Sequence, residues 1–321
     1  MERLVESVPN VSEGRRPEVV GRLAAALESV PDVFLLDRTS DPSHNRSVFT
    51  LAGPPEPVSE ALERLVSVAI HEIDMDVHTG EHPRIGAVDV VPFIPLGDMA
   101  MDECVDVARA FGRRIADRFD LPVYFYARAA TRAERVKLAD VRRGQYEGLR
   151  EEISQRGREP DAGPSRMHPS AGAIAVGARP FLIAYNINLD SNDLDLARRI
   201  ARRVRESGGG LPAVQANGFF ITELDRAQVS MNLLDFNVTP LWVVWDTVAD
   251  VAAEDGIELA ESELIGLAPL AALLAVADRA GAAVDDPVES RLAAGAAYLR
   301  LRDFSPLQAL ELRLDAARAA R

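Results

Sequence analysis

One order of predicted elements occurs twice along this chain, and it limits the folds open to the chain. Strands are predicted from alternating apolar side chains, and helices from apolar side chains at spacings of three and four. In the first half, strands are predicted within residues 4–8, 33–37, 47–52 and 88–94, and helices within residues 18–27 and 58–73. In the second half, strands are predicted within residues 181–189, 213–223, 227–236 and 257–265, and helices within residues 194–206 and 241–253. Both halves therefore follow the order β-α-β-β-α-β.

This order is typical of ferredoxin-like units, in which helices cover one face of a mostly antiparallel sheet. We therefore predict an α+β fold with two ferredoxin-like subdomains related by duplication. A ligand cleft is expected between them, because small ligands often bind where two units meet. Each copy is expected to lead into a helix that begins at a proline-leucine pair, Pro95-Leu96 in the first copy and Pro269-Leu270 in the second.

The segment between the two copies carries additional predicted elements. Residues 100–120 are predicted as a helix, residues 123–127 as a strand, and residues 131–155 as helical and charged. The charged side chains of the last stretch are expected on solvated faces, among them Arg142, Arg143 and Glu147.

Composition narrows the class of protein. The chain has 321 residues, of which 47% are hydrophobic and 27% charged, which suits two packed globular units. It contains no apolar run long enough to cross a membrane and no basic, apolar start typical of a secretory signal, so we expect a cytoplasmic protein. The net charge of -14 argues against an extended nucleic-acid surface. Cys104 is the only cysteine, which excludes an internal disulfide and a multi-cysteine metal site.

The loop that precedes the last predicted strand of the first copy concentrates reactive groups. Residues 73–87 contain two histidines, three acidic residues, an arginine and two glycines. Connecting segments seldom carry so many such groups unless they serve a function. His82, between Glu81 and Arg84, is the candidate proton carrier, because an imidazole titrates near neutral pH unless its surroundings shift it. The alternative is an ordinary charged surface loop.

Five blocks in one order make this signal more specific. They are Val8–Arg15, Asn45–Val48, Gly80–Pro95, Phe181–Leu189 and Ala227–Phe236. Together they resemble the motifs of the glutamate formimidoyltransferase family, over a stretch that runs from residue 3 to about residue 280. Several long motifs in the same order are far more specific than one short pattern.

The resemblance implies a one-carbon transferase of histidine degradation that moves a formimidoyl group from N-formimidoyl-L-glutamate to N5 of the co-substrate tetrahydrofolate. One nitrogen loses a proton as it attacks and the other gains one as it leaves, so one histidine, His82, can serve both steps. The candidate substrate-binding residues are Asn10, Asn45, Arg46, Glu81 and Arg84. Arg46 and Arg84 are the candidates for a substrate carboxylate, because a guanidinium can hold one through two parallel hydrogen bonds.

A proline- and glycine-rich segment separates the two copies and breaks both kinds of periodicity. By composition it is an interdomain linker. By the resemblance it is the folate-binding loop, with the residues Gly163, Pro164, Ser165, Arg166, Met167, His168, Pro169, Ser170, Ala171 and Gly172. Both interpretations stay open. Asp41 and His44, which share a turn with Asn45, are candidates for supporting the substrate-binding residues.

No metal site is expected. His71-Glu72 begins like a zinc-binding helix motif, but Met75 stands where the second histidine ligand is required. An alternative cation site would combine the histidines and carboxylates of the 73–87 loop. Two other functions remain open: a folate-binding protein without catalysis, and a metal-dependent hydrolase of the amidine donor. A transferase that uses a formyl donor and makes 5-formyl-tetrahydrofolate is the alternative within the enzyme class.

The likeness divides the chain into three parts. We predict an N-terminal formiminotransferase subdomain over residues 1–178, a C-terminal subdomain over residues 179–285 and a helical tail over residues 286–321. The tail is too short to form another domain, so we expect a separate downstream cyclodeaminase. A homodimer is expected from the resemblance, with the tail or an exposed sheet face as its contact.

Overall fold

The computed structural model describes residues 2–320, and the chain splits after Arg179 into two compact units. The elements of the first unit are β1 (Arg3–Ser7), β2 (Asn10–Val11), α1 (Pro17–Glu28), β3 (Phe34–Asp41), β4 (Arg46–Gly53), α2 (Pro55–Glu72), β5 (Val88–Gly97), α3 (Met101–Phe119), β6 (Val123–Ala127), α4 (Leu138–Val141), α5 (Gln145–Glu152) and β7 (Ile174–Ala178). The elements of the second unit are β8 (Ile183–Leu189), α6 (Leu194–Val204), β9 (Val214–Ile221), β10 (Arg226–Leu233), α7 (Leu241–Ala253), β11 (Leu259–Ile265), α8 (Leu270–Arg279), α9 (Val288–Tyr298) and α10 (Leu310–Ala319).

The first unit is built on a seven-stranded mixed sheet. β1 and β2 are successive pieces of chain that both lie between β4 and β5, and β3 pairs with the other side of β4. These pairings are antiparallel, whereas β7 pairs in parallel with β5 and with β6. Pro9 separates β1 from β2, because proline has no backbone N–H to give to the ladder. The expected α+β class is confirmed by this sheet and its helices.

Different helices cover the two faces of this sheet. On one face, the buried side chains of α1, α2 and α3 pack against those of the strands, and Phe93 contacts Phe111 edge to face at 5.4 Å between ring centroids. On the other face, Val141 of α4 and Leu149 of α5 pack on Tyr126. The parallel part of the sheet is therefore buried on both faces, as parallel strands usually are.

The second unit has a four-stranded antiparallel sheet in the order β11-β8-β10-β9. Its first helix, α6, begins at Asp193, whose side chain accepts hydrogen bonds from the backbone N–H groups of Asp195 and Leu196. The apolar stripe of α6, which includes Ile200 and Val204, is buried. No helix in residues 2–320 has the length and apolar character needed to cross a membrane.

The C-terminal segment after residue 285 packs on the second unit. Ser262 of β11 donates its backbone N–H to the carbonyl of Arg300 and accepts from the N–H of Arg302, both at 2.9 Å. Its hydroxyl donates to the carbonyl of Leu299 at 2.6 Å. Arg302 also forms ion pairs with the carboxylates of Glu261 and Glu263. The segment therefore covers the edge of β11, where open strand edges otherwise invite pairing with other chains.

We expect Ser262→Ala to destabilise the protein by roughly 1–3 kcal/mol, because it leaves the buried carbonyl of Leu299 without its hydroxyl donor. The measurement is the free energy of unfolding in urea. Ser207→Ala is the control: Ser207 is exposed in the same unit, and the change should stay within about 0.5 kcal/mol. Equal stabilities for the two variants would contradict the packing role of the C-terminal segment.

Three details of the first unit differ from the sequence prediction. The expected helix start at Pro95-Leu96 is wrong, because both residues lie in β5, opposite Val5 and Leu4 of β1. Proline is tolerated there since β7 pairs with β5 only as far as Phe93. Two strands were not predicted: β2, which has two residues, and β7, whose small apolar residues show no alternation. The α8 start after Pro269 is confirmed.

Candidate active site

The loop between α2 and β5 lies against the segment that precedes β7. The backbone N–H of Met75 donates to the carbonyl of Ser170 at 2.7 Å, and that of Ala87 donates to the carbonyl of Ala171 at 2.8 Å. The candidate catalytic loop and the candidate folate-binding segment are therefore neighbours within the first unit. These backbone bonds anchor the segment, whereas a free linker would make few of them.

Within that segment, His168 stabilises a tight turn. Its ring Nδ1 accepts hydrogen bonds from the backbone N–H groups of Ser170 at 3.3 Å and Ala171 at 3.1 Å. Its own backbone N–H donates to the carbonyl of Gly172 at 3.0 Å. Burial lowers the pKa of His168, which suits a ring nitrogen that accepts hydrogen bonds. The side chain of this candidate therefore holds the turn in place.

Other positions of the segment face solvent. Gly163, Ser165, Arg166 and Pro169 are exposed, and Arg166 forms a surface ion pair with Asp120. Of the remaining candidates, Ala171 and Gly172 are buried, and Pro164, Met167, His168 and Ser170 are half-buried. The exposed positions are the ones that a ligand can reach without rearranging the segment.

Asn45 joins three parts of the candidate site. Its side-chain Oδ1 accepts from the backbone N–H of Gly14 at 3.0 Å, and its Nδ2 donates to the carbonyl of Thr79 at 2.9 Å. Its carbonyl accepts from Nε2 of His78 at 3.2 Å. Asn45 has a φ of 48°, a left-handed conformation that asparagine tolerates better than most residues. Its side-chain amide is occupied by structural hydrogen bonds, so Asn45 positions the loop.

Arg84 is also occupied by neighbours from its own unit. Its guanidinium donates to both carboxylate oxygens of Glu147, at 2.7 and 3.0 Å, and to Oε1 of Gln145 at 3.3 Å. Its Nε donates to Nδ1 of His78 at 3.3 Å. Glu147 lies on a solvated face as expected, with 64% of its side chain exposed, and its carboxylate also holds the buried Arg84. Arg84 connects the loop to α5 and has little capacity left for a substrate.

His82 is half-buried, and its ring has no hydrogen-bond partner among residues 2–320. Burial, together with the positive charges of Arg46, Arg142, His44 and Arg84, lowers its pKa to about 3. The ring is therefore neutral at neutral pH in the free protein, and both nitrogens are available. The expectation that it titrates near neutral pH does not hold here, because its surroundings shift the pKa.

Arg46 provides a positive charge close to His82 and has no direct ion pair within residues 2–320. It is the first residue of β4, and the side-chain hydrogen bond that it donates is a long one, from Nη1 to Oδ1 of Asn10 at 3.5 Å. Its Nε is buried without a hydrogen-bond partner, and it forms no ion pair with any carboxylate in the described part of the chain. Burial and the charge of Arg142 lower the pKa of Arg46, and the carboxylates of Asp41 and Asp89 offset part of this effect from a distance. Its guanidinium is free to bind an anion.

Arg142 is the site residue that the sequence interpretation missed. It was expected on a solvated face, which is wrong: its side chain is 18% exposed and forms an ion pair with Asp89. The pairing of β2 with β5 contains a β-bulge, in which Asp89 is the extra residue of β5. A β-bulge changes the direction in which a side chain points. Its Oδ1 also accepts from the backbone N–H of Ile85 at 2.9 Å. A carboxylate in an otherwise apolar strand was the available signal, because a buried charge requires a partner.

The remaining candidates lie at the rim of the site. Glu81 is exposed, and its backbone N–H donates to the carbonyl of Ser43 at 3.4 Å. Asp41 accepts from the backbone N–H of His44 at 2.9 Å and from the His44 ring at 2.7 Å, which lowers the pKa of Asp41. Asp41 and His44 shape the turn that precedes Arg46, and their supporting role stays a prediction.

The cation site considered from the sequence does not assemble. Across residues 2–320, no group of three or more histidine, cysteine, aspartate or glutamate side chains is placed to hold a metal ion. The carboxylate of Asp76 is bonded by Tyr146, at 2.5 Å, and by Arg150. The ring of His78 lies between Asn45 and Arg84.

The fold and the site define an α+β protein with a neutral histidine among arginines, of which one is unpaired. Residues 4–179 match the N-terminal subdomain of the formiminotransferase domain, and residues 184–280 match the formiminotransferase domain. The chain belongs to the formiminotransferase domain family, and the resemblance of the five blocks is confirmed.

Curated relatives agree with this assignment. The chain is 44% identical to the glutamate formimidoyltransferase of Streptococcus pyogenes serotype M1 over 278 residues, which cover 87% of this chain and 93% of that protein. It is 44% identical to the enzyme of the same name from Thermoplasma acidophilum, over 85% of this chain and 91% of that protein. It is 47% identical to the formimidoyltransferase-cyclodeaminase of Sus scrofa, over 85% of this chain and 52% of that protein. The chain therefore spans most of the stand-alone relatives and about half of the bifunctional one.

Proposed function

We propose that this protein transfers the formimidoyl group of N-formimidoyl-L-glutamate to N5 of tetrahydrofolate. The proposal is supported by two relatives named glutamate formimidoyltransferase, which match over most of their own length. The observation that carries it within the site is His82, a neutral, half-buried imidazole close to an arginine that has no carboxylate partner. Such a ring can accept a proton, and such an arginine can hold a substrate carboxylate.

The proposed reaction needs one proton carrier, and it neither consumes nor releases a proton overall. N5 of tetrahydrofolate attacks the carbon of the protonated formimidoyl group and forms a C–N bond as the C=N π pair moves to the terminal nitrogen. This gives a tetrahedral carbon, and His82 takes the proton that N5 loses. The C=N bond then re-forms as the bond from this carbon to the glutamate nitrogen breaks, and His82 returns the proton to that nitrogen. The products are 5-formimidoyl-tetrahydrofolate and glutamate. General acid-base help of this kind contributes about 10²- to 10⁴-fold in rate.

We propose that the segment from Gly163 to Gly172 contacts tetrahydrofolate. The support is the position of the segment beside the His82 loop, together with the exposed positions Ser165 and Arg166. Gly172 is unsuited to a test, because a Cβ there would lie 2.5 Å from the carbonyl oxygen of Ile85. Arg166 offers a test that leaves the fold intact.

Arg166→Ala is expected to weaken equilibrium binding of tetrahydrofolate roughly three- to tenfold, because an exposed charged hydrogen bond contributes little more than that. The measurement is fluorescence or calorimetric titration, with the nearby exposed Arg156→Ala as the control. If both variants bind tetrahydrofolate like the unchanged protein, the exposed part of the segment does not contact this ligand.

The proposal extends to the architecture and the assembly. We infer that the two units arose by duplication of a ferredoxin-like unit. This inference is supported by the order of strands in the sheet, which is the same in both units. In the first unit the order is β3, β4, β1 with β2, and β5; in the second it is β9, β10, β8 and β11. In both, the second strand of the β-α-β-β-α-β pattern is followed by the third, the first and the fourth.

We also propose a cytoplasmic homodimer that supplies its product to a separate cyclodeaminase.

The deciding experiment offers the purified protein tetrahydrofolate with N-formimidoyl-L-glutamate or with N-formyl-L-glutamate, without added metal, and identifies the products by mass. We expect 5-formimidoyl-tetrahydrofolate from the first donor and no enzyme-dependent release of ammonia. A preference for the formyl donor would instead assign 5-formyl-tetrahydrofolate synthesis. Folate binding without turnover of either donor would make the protein a binding module. Hydrolysis of the donor that a chelator abolishes and zinc restores would indicate a metal-dependent hydrolase.

A further inference from the structure

We propose that Arg46 and Arg142 together form a subsite beside His82 that binds the α-carboxylate of the glutamate donor. The inference rests on the proposed function and deepens it. It replaces Arg84, the arginine expected from the sequence, with Arg142, because the guanidinium of Arg84 is occupied by Glu147, Gln145 and His78.

The first support is an inventory of hydrogen-bond donors. A guanidinium has five N–H groups, all of which need acceptors when they are buried. The Nε atoms of Arg46 and Arg142 are both buried without a partner. Arg46 has only the 3.5 Å contact to Asn10, and Arg142 donates to Asp89 through one terminal nitrogen. Both arginines therefore keep donors for a ligand that accepts hydrogen bonds.

The second support is their placement on neighbouring strands. Arg46 begins β4, and β4 pairs with β2, in which Asn10 lies opposite Val48. On its other side, β2 pairs with β5 next to the bulge at Asp89, which holds Arg142. The guanidinium groups of Arg46 and Arg142 are thus both positioned by the region where β2 pairs with β4 and with β5. Each is close enough to His82 to influence its charge.

The third support is the charge balance of the pair. Arg142 is compensated by Asp89, whereas Arg46 has no carboxylate partner in the described part of the chain. Arg46, Arg142 and Asp89 together carry one net positive charge, which Asp41 offsets only in part because it forms no ion pair with Arg46, and this suits a single carboxylate. A guanidinium binds a carboxylate more strongly than a neutral acceptor.

The chemistry of the substrates decides which carboxylate binds there. In the donor, the formimidoyl carbon is attached to the α-nitrogen, and the α-carboxylate is only two bonds from that nitrogen. In tetrahydrofolate, the glutamyl carboxylates are separated from N5 by the aminobenzoyl group. A proton carrier must come within hydrogen-bond distance of the reacting nitrogens. A carboxylate bound beside His82 therefore belongs to the donor, and we assign it to the α-carboxylate because that group is closer to the reacting nitrogen than the γ-carboxylate.

Binding at this subsite also has a consequence for the proton carrier. The charged groups that act on His82 are Arg46, Arg142, Arg84 and His44, and burial adds to their effect. Asp41 pairs with His44, Glu147 with Arg84 and Asp89 with Arg142, whereas Arg46 has no direct ion pair among the described residues and feels Asp41 and Asp89 only from a greater distance. A bound carboxylate cancels part of this positive potential, and the pKa of His82 then rises. The donor thus makes His82 a better base when the reaction needs one.

The subsite can be tested by binding alone, without turnover. The probe is L-glutamate, the donor's product, and the readouts are its dissociation constant and the NMR titration of the His82 ring. We expect glutamate to raise the pKa of His82 in the unchanged protein. In Arg46→Gln, glutamate should bind roughly tenfold or more weakly, and its effect on His82 should shrink. In the free Arg46→Gln protein, the pKa of His82 should already be higher, because a positive charge has been removed.

Arg142 requires a paired substitution, since its loss alone leaves Asp89 buried without a cation. In the double variant Arg142→Gln, Asp89→Asn, the two amides can still hydrogen-bond, and thermal unfolding checks that the fold survives. This variant should lose glutamate binding to a similar extent as Arg46→Gln. The control is Arg143→Gln, the same substitution at the adjacent residue, whose side chain is exposed. Unchanged glutamate binding in the double variant, with the fold intact, would remove Arg142 from the subsite.

Steady-state kinetics separates the two substrates and the two proposals. Both variants should raise the KM for N-formimidoyl-L-glutamate with little change in the KM for tetrahydrofolate. A rise confined to the KM for tetrahydrofolate would overturn the assignment to the donor carboxylate. If the unchanged protein transfers no formimidoyl group yet binds glutamate through Arg46 and Arg142, the proposed function fails and the subsite stands. If the protein is an active transferase and the substitutions of Arg46 and Arg142 leave its dissociation constant for glutamate unchanged, the subsite is wrong and the proposed function stands.

Discussion

Replacing His82 with alanine is expected to lower turnover by at least ~10²-fold, because the variant loses the group that carries the proton between the two nitrogens. Binding of tetrahydrofolate should change little, since a proton carrier acts mainly in the transition state. The ring makes no hydrogen bond to another residue in the described part of the chain, so its removal should also leave the fold intact. The measurements are kcat with saturating substrates and the dissociation constant for tetrahydrofolate.

His71→Ala is the matched control, because His71 is exposed and lies on α2 rather than in the site. It should retain nearly full turnover. The pH profile adds a second check on His82. Burial and nearby arginines lower its pKa to about 3, and a base is lost when it is protonated. Since kcat/KM reports the free enzyme, it should show no loss due to His82 as the pH falls through the ordinary imidazole range. Near-normal turnover of His82→Ala would falsify the role of proton carrier.

Replacing Gly86 with alanine is expected to destabilise the protein by about 4 kcal/mol or more, which is exceptional for one methyl group. A Cβ at this position would lie 2.0 Å from the carbonyl oxygen of Ala173 and 2.6 Å from that of Ala171. Both are backbone atoms that cannot rotate away. At Gly86 the requirement is space, because its φ lies outside the left-handed region. The substitution would force the candidate catalytic loop away from the candidate folate-binding segment, so activity should be lost as well.

Gly21→Ala is the control for this prediction. Gly21 lies inside α1, and a Cβ there would meet no atom within 4 Å. Alanine should therefore stabilise the protein by roughly 0.5–1 kcal/mol through its better helix propensity. The two free energies of unfolding, measured in urea, should differ in sign relative to the unchanged protein. A Gly86→Ala protein as stable as the Gly21→Ala protein would show that the two segments can separate at low cost.

The site illustrates which features could be predicted from the sequence. His82 could be selected because its chemistry is local: a histidine, charged neighbours and glycines within one loop, in blocks that occur in family order. Its protonation could not be predicted, because the pKa depends on burial and on Arg46 and Arg142, which come from other segments. Arg84 was chosen for a substrate carboxylate by its position in the motif. Its partner Glu147, 63 residues away, is visible only in the folded chain.

Arg142 and Asp89 show the same limit more clearly. They are 53 residues apart, and each alone looks ordinary: an arginine in a charged segment, and an aspartate in an apolar strand. The bulge in the pairing of β2 with β5 turns the Asp89 side chain toward Arg142. No periodicity in the sequence signals a bulge that depends on the pairing of two distant strands.

Local patterns thus determined most of the order of strands and helices, the α+β class, the family and the choice of His82. These follow from side chains that are close in sequence, where hydrophobic spacing and motif residues act directly. Tertiary structure decided that Pro95 lies in a strand, that the C-terminal segment covers β11, and which arginines near His82 are free to bind an anion. These depend on strand register and on charges brought together over tens of residues, and only the folded chain supplies that proximity.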